Sequence, residues 1–329
     1  MARPLLHRLS ISGLSLVTAL LLVWPTLVQT ATPSEAAQDQ PSASDFPPFW
    51  VMTFRPTTAW SGAGADAEAL GQIQQWRYLQ VDQPQEGGRL PTLDPRTNTR
   101  AYIEADAVGP VGPPPDDYFA AAPTDESVVG LPGRIIGTTE LFERPENQRY
   151  FALDEVRTNT PVMVQAAVDG PNDSRWYRVG DDQYVPANNL RLPTPPGRTF
   201  PGRWIDANLT EPVMVTAYEG ETPVYSALAV KGLGAFQTPQ GTYRIQRRVQ
   251  NETMDSSTIG IPRTSPQGYY LKDVLYTQYF TGDGAALHYN YWRSNWGYAG
   301  SHGCLGMDLT DSRFFWDFAG VGTVVYIHS

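Results

Sequence analysis

The stretch AALHYNYWRSNWGYAGSHGCLGM, residues 285 to 307, contains the only cysteine of the chain and two of its four histidines. The others are His7, near the start, and His328, the penultimate residue. Ala285 to Tyr291 reads as a strand, with Ala286, His288 and Asn290 on one face and Leu287, Tyr289 and Tyr291 on the other. Ser301-His302-Gly303-Cys304 reads as a tight turn, because Gly303 permits backbone conformations and close approaches that other residues do not. Such a turn is needed wherever backbone N–H groups must point at a developing oxyanion. A strand-borne imidazole facing a loop-borne thiol is the general Cys–His arrangement for nucleophilic catalysis. A neighbouring cation is expected to lower the thiol pKa and raise the thiolate fraction.

Three other readings compete on these residues alone. Two His and one Cys can bind a metal, but no HExxH and no helix-spaced carboxylate accompany them. A papain-type protease places its His well after the Cys, and here only His328 follows. An inert buried Cys beside satisfied core histidines is the reading that His and Cys alone favour.

Working outward, the flanking sequence is β-rich. Trp204-Ile205-x-Ala207 opens a strand after Gly202, and Val213 to Val215 and Val224-Tyr225 are parted by a Glu219-Gly220-Glu221 turn, which predicts a hairpin. Tyr243 to Val249 and Tyr269 to Tyr279 are further strand candidates. Thr310 reads as the N-cap of a short helix from Asp311 to Phe318, closed by Gly320, and Thr323 to Ile327 reads as a buried strand.

Upstream, GPVGPPP (109–115) and PTPPGRTFPG (193–202) are the clearest breaks. The segments before them resemble each other. Trp76 and Leu79, then Tyr102-Ile103-x-Ala105-x-x-Val108, match Trp176 and Val179, then Tyr184-Val185-x-Ala187-x-x-Leu190. The pattern predicts an internal duplication of a small β-barrel, with a longer loop, Asp82 to Arg100, in the first copy. Trp76, Tyr102, Trp176 and Tyr184 read as core or as stacking residues. These segments contain no His and no Cys, so the chemistry is expected to reside in a fragment of about 198–329 that works without them.

At the start, Arg3, His7 and Arg8 precede an apolar run, Ile11 to Val28, and small residues follow. This is the order of a secretory signal; an uncleaved membrane anchor is the rival reading. Both place the folded part outside the cytoplasm. The chain has 329 residues and a net charge of -10, so it lacks the basic face that nucleic-acid binding requires. A single Cys excludes an internal disulfide and every multi-Cys metal site.

Residues from about 200 to 329 resemble the L,D-transpeptidase catalytic (YkuD) domain. Gly232 and Gly234 precede Thr238-Pro239-x-Gly241-x-Tyr243, similar to the family's TPxG turn; then come His288, Trp292, Gly297 and Ser301-His302-Gly303-Cys304-Leu305-x-Met307. The closing Gly322-Thr323-Val324-Val325 strand also fits. The resemblance implies Cys304 as nucleophile, His288 as its base and the Tyr289 carbonyl as the group that orients the ring, with Ser301, His302 and Gly303 shaping the oxyanion turn. It departs from the family at Gly306, where Arg or Asn is usual.

The implied fold is all-β: a β-sandwich catalytic domain with one short helix, preceded by two small SH3-like β-barrels. The expected boundaries are a signal peptide (1–31), a tether (32–46), modules at 47–112 and 128–192, linkers at 113–127 and 193–201, and a catalytic domain at 202–329. The implied activity is peptidoglycan L,D-transpeptidation through a thioester, with hydrolysis as a side reaction and no metal or organic cofactor. Expected partners are peptidoglycan stem peptides and wall glycan, with carbapenem-type β-lactams as inhibitors. The alternative is a wall-binding protein whose catalytic site Gly306 has impaired.

Overall fold

The computed structural model describes residues 46–120 and 126–329. The expected leader, the tether up to residue 45 and residues 121–125 of the first linker lie outside the described residues. Among the described residues, no helix is long and apolar enough to cross a membrane.

The first seven-stranded sheet contains β1 (Phe49–Thr53), β2 (Thr57–Trp60), β3 (Ala69–Ile73), β4 (Tyr78–Val81), β5 (Arg89–Asp94), β6 (Thr99–Glu104) and β7 (Val108–Val111). The second contains β8 (Glu126–Ile135), β9 (Thr139–Phe142), β10 (Ala152–Val156), β11 (Pro161–Asp169), β12 (Arg175–Gly180), β13 (Gln183–Pro186) and β14 (Leu190–Arg191). Their spatial orders are β3-β2-β6-β5-β4-β1-β7 and β10-β9-β13-β12-β11-β8-β14. Strand for strand, the second repeats the first. The paired motifs match in detail: each Tyr-apolar dipeptide lies on a strand, each following Ala opens a one-turn 3-10 helix, and a strand follows. Ile103 and Val185 are both fully buried in the cores of their sheets.

The tryptophans, however, are not equivalents. Trp76 sits in a turn before β4 with φ 68, whereas Trp176 is buried on β12. The counterpart of β12 is β5, which lies inside the stretch read as a long loop. Gly87, Gly88, Pro91 and Pro95 disguise it, although Pro91 stands in register with Tyr102. Between the sheets, Tyr118, just after the proline-rich stretch, is buried against Tyr78, Tyr150 and Phe151.

The C-terminal part is a sandwich. One layer has the order β17-β16-β15-β25-β19, from β15 (Arg203–Asn208), β16 (Met214–Glu219), β17 (Thr222–Leu228), β19 (Gly241–Arg244) and β25 (Val324–His328). The other is β20-β21-β22-β24, from β20 (Arg247–Asp255), β21 (Tyr270–Tyr279), β22 (Ala286–Tyr289) and β24 (Leu305–Met307). A small ribbon pairs β18 (Lys231–Gly232) with β23 (Ala299–Ser301). Ile205, Val215 and Ala227 of the first layer meet Phe280, Leu287, Leu305 and Met307 of the second, together with Phe315 of helix α1 (Leu309–Phe318). Burying each of the larger of these side chains contributes roughly 1.5–3 kcal/mol.

The expected hairpin forms as β16–β17, and the helix starts two residues earlier than the Thr310 cap predicted. Asp308 is the N-cap, its carboxylate accepting from the Asp311 N–H, and Ala319 rather than Gly320 closes the helix. Both Asp308 and Thr310 are good caps; Asp308, half-buried, is also held by Asn159 Nδ2, whereas Thr310 is exposed.

Asp311 has a further role. It is fully buried, and its carboxylate forms an ion pair with Arg134 of β8. Arg134 also donates to the Ser226 carbonyl at 2.6 Å and the Asn159 carbonyl at 2.7 Å. Tyr225 Oη donates to Asp311 at 2.7 Å, and Asn159 Nδ2 donates to both Asp308 and Asp311. The second sheet is therefore locked onto the helix of the sandwich. This revises the expectation that a fragment of about 198–329 works by itself, since cutting the chain there leaves Asp311 buried without its cation.

Candidate active site

The sheet register brings the two reactive side chains together. Strands β22 and β24 pair in parallel, with His288 opposite Gly306, and Cys304 immediately precedes β24. His288, Ser301, His302 and Cys304 line one cleft of about 260 Å³, with Asn290, Trp292 and Tyr269. Wider hollows of about 440 and 540 Å³ lie on the N-terminal sheets but contain neither His nor Cys. Chemistry, rather than size, singles out the smaller one.

His288 is buried, and its Nδ1 lies 2.8 Å from the Tyr289 carbonyl oxygen. A carbonyl can only accept, so Nδ1 carries the proton and Nε2 keeps its lone pair. The Trp292 ring lies nearly parallel to the imidazole at 5.7 Å. The Tyr289 side chain does not line the cleft; only its carbonyl serves the site.

The SHGC turn is built by its own polar groups. Ser301 Oγ donates to the Cys304 carbonyl at 2.6 Å and accepts from the Gly303 N–H at 3.2 Å. Gly303 has φ +104, a conformation that a side chain would strain. Behind it, Thr238 Oγ1 accepts from the Gly232 N–H, and a Cβ on Gly232 would lie 2.0 Å from the Phe236 carbonyl oxygen. The TPxG element thus forms a close-packed loop beside the cysteine turn. His302 contributes its side chain as well as its backbone: its ring packs against Phe236 and Tyr269, and its buried Nε2 has no partner.

The electrostatics also differ from expectation. Burial lowers the His288 pKa to about 4, opposed by its backbone bond to Tyr289. Burial likewise pushes the Cys304 thiol up to about 11, opposed by a backbone bond from Ala286. The thiol donates to the Gly284 carbonyl at 3.7 Å. The cation expected to lower the thiol pKa is absent from the resting pair because desolvation keeps the imidazole neutral.

At Gly306, an added Cβ would come within 2.6 Å of Asn290 Nδ2 and 2.9 Å of Asn290 Cβ. The Asn290 side chain therefore fills the space beside residue 306. It is buried, and its Oδ1 has no partner. Tyr269 and Arg293 also line the cleft and were not singled out from the sequence. Tyr269 looked like the first residue of a strand, and Arg293 lay among aromatic residues with no motif of its own. No cluster of three or more His, Cys, Asp or Glu that could hold a metal ion occurs among the described residues.

A thiol and a tautomer-fixed imidazole on the edge of a β-sandwich define a Cys–His site. Residues 202–327 match the family model of the L,D-transpeptidase catalytic domain (YkuD), and this segment is such a domain. L,D-transpeptidase 1 of Mycobacterium tuberculosis is 26% identical over 231 residues, covering 68% of this chain and 90% of the relative. The probable L,D-transpeptidase 3 of the same organism is 31% identical over 101 residues, 30% of this chain and 37% of the relative. Among solved structures, the LD transpeptidase LdtMt1 in complex with imipenem superposes with a TM-score of 0.35 and 19% identity, covering 59% of this chain and 100% of that one.

Proposed function

We propose that the protein is a peptidoglycan L,D-transpeptidase with Cys304 as nucleophile and His288 as general base. The observation that carries this reading is the shared cleft of Cys304 and a His288 ring whose Nδ1 is held by the Tyr289 carbonyl. The thiol attacks the carbonyl carbon of the third residue of a tetrapeptide stem. As the S–C bond forms, the thiol proton passes to His288 Nε2, so no resting thiolate is required. The carbonyl oxygen gains charge beside the SHGC turn; the Gly303 N–H is engaged by Ser301, so the Cys304 N–H is the donor available there. The C–N bond then breaks, and His288 returns the proton to the departing D-Ala amine. An amine of a second stem attacks the thioester, its proton goes to His288, and the C–S bond breaks to give a 3→3 crosslink. Water in place of the amine gives carboxypeptidase activity.

A strained β-lactam carbonyl offers the same electrophile, so a carbapenem is expected to acylate Cys304. The expected leader and a wall substrate support a reaction outside the cytoplasm, and the proposed role of the N-terminal sheets is to hold wall glycan. The test is incubation of the full chain with a stem tetrapeptide, followed by intact-mass spectrometry. One acyl adduct per chain on Cys304, with release of D-Ala, is expected. Release of D-Ala by a Cys304→Ala variant at the same rate would refute the mechanism.

A further inference from the structure

We propose that Arg293 is the specificity-determining anchor for a free carboxylate on the departing residue of the donor peptide. This rests on the transpeptidase reading and names what that site selects. Arg293 is the only Arg or Lys lining the cleft, and no Asp or Glu lines it. Its Nη2 donates to the Gly300 carbonyl at 2.9 Å. Gly300 leaves room for nothing else: a Cβ there would lie 2.5 to 2.7 Å from three guanidinium atoms. The cation is thereby seated against β23, one residue before Ser301. That single neutral acceptor leaves the charge without a carboxylate partner among the described residues.

Its position fits the leaving group. Arg293 follows Trp292, whose ring lies over His288, and His288 is the residue that protonates the departing amine. The carboxylate of a terminal D-amino acid lies one carbon beyond that nitrogen, on the same side of the scissile bond. Guanidinium binds carboxylate through two parallel N–H bonds, a geometry that a neutral amide cannot supply. The other place from which a side chain would reach in, residue 306, is a glycine whose space Asn290 fills. The cleft is therefore matched to tetrapeptides ending in a free carboxylate, against the same peptides ending in an amide.

The test measures kcat and KM for D-Ala or D-Ala-amide release from a stem tetrapeptide with a free terminus and from its C-terminal amide. It uses the full chain and its Arg293→Gln and Arg293→Lys variants. The wild type is expected to favour the free acid by about tenfold or more in kcat/KM, mostly through KM. Arg293→Gln should bring the acid down towards the amide's level with a much smaller change on the amide, and Arg293→Lys should lie in between. Alkylation of Cys304 gives a readout independent of turnover. The ratio of iodoacetate to iodoacetamide rates should fall about two- to fivefold in Arg293→Gln, while the iodoacetamide rate itself stays constant and reports an intact site. Equal wild-type rates on acid and amide, or an equal loss on both in Arg293→Gln, would overturn the anchor alone. No release from either peptide by the wild type would bring down the functional reading and the anchor with it.

Discussion

Two buried polar clusters in this protein are built on opposite principles. At the junction of the second sheet with the sandwich, both Asp311 oxygens and all three Arg134 nitrogens have partners. In the cleft, the buried atoms Asn290 Oδ1 and His302 Nε2 have none. An unpaired buried polar group costs about 1–3 kcal/mol, a cost that a polar group of a bound ligand can relieve in an open cleft. The satisfied cluster holds the fold; the unsatisfied one is where a substrate has work to do.

Replacing the central residue of each cluster separates these roles. Cys304→Ala should lower acyl transfer by about 10⁴-fold or more. Its unfolding free energy should stay within about 0.5 kcal/mol of wild type, read from urea curves. A large loss of stability would mean that the cleft is also structural.

His288→Ala should slow acylation by about 10²–10⁴-fold, because it removes the acceptor of the thiol proton. In the wild type, thiolate appears only as pH approaches about 11, so alkylation of Cys304 should climb steadily through neutrality with no step near the usual imidazole pKa. A clear step between pH 6 and 7 would show a resting thiolate–imidazolium pair. His302→Ala should reduce acylation less than His288→Ala; the reverse order would exchange their roles.

At the junction, Arg134→Ala should cost about 3–5 kcal/mol, because Asp311 stays buried without its cation. Burial already raises the Asp311 pKa to about 6, with Arg134 opposing the shift. Losing Arg134 lifts it further above the unfolded value of 3.8. A raised carboxyl pKa favours folding while the group is protonated, and that contribution is lost as pH rises through the folded pKa. The deficit of the variant should therefore be smaller at pH 5 than at pH 8 in urea unfolding. A pH-independent deficit would show that Asp311 is not the group left unpaired.

The smallest effect is expected at Gly306→Ala, about 1–3 kcal/mol, as the new Cβ displaces Asn290. A stabilised variant with unchanged turnover would show that Asn290 moves aside at no cost.

Much of the cleft was legible because its requirements are local. Gly303 is demanded by one φ angle, Gly232 by one carbonyl, and the His288 tautomer by the next residue's own backbone. The sheet duplication was legible for the same reason, through the Tyr-apolar-x-Ala repeat. What escaped was long-range. Arg134 stands in a Pro-Gly-Arg run that reads as a turn, and nothing near it announces Asp311. Strand β5 was hidden by its flanking glycines and by Pro91, which the register shows is tolerated opposite Tyr102. The thiol pKa was misjudged because a sequence names the neighbours of a group and leaves its solvent exposure unstated.

The parallel pairing of β22 with β24 has a consequence for how such an enzyme can be altered. The proposed base sits on β22 and the proposed nucleophile immediately before β24, so both hang from one backbone ladder, whose strand spacing of about 4.8 Å is common to all sheets. The rim, residues 266–269 and 292–298, hangs from the sheets without forming part of them. Rim segments can accordingly be exchanged like tool bits in a fixed chuck, changing which peptide is gripped while the cutting edge stays true.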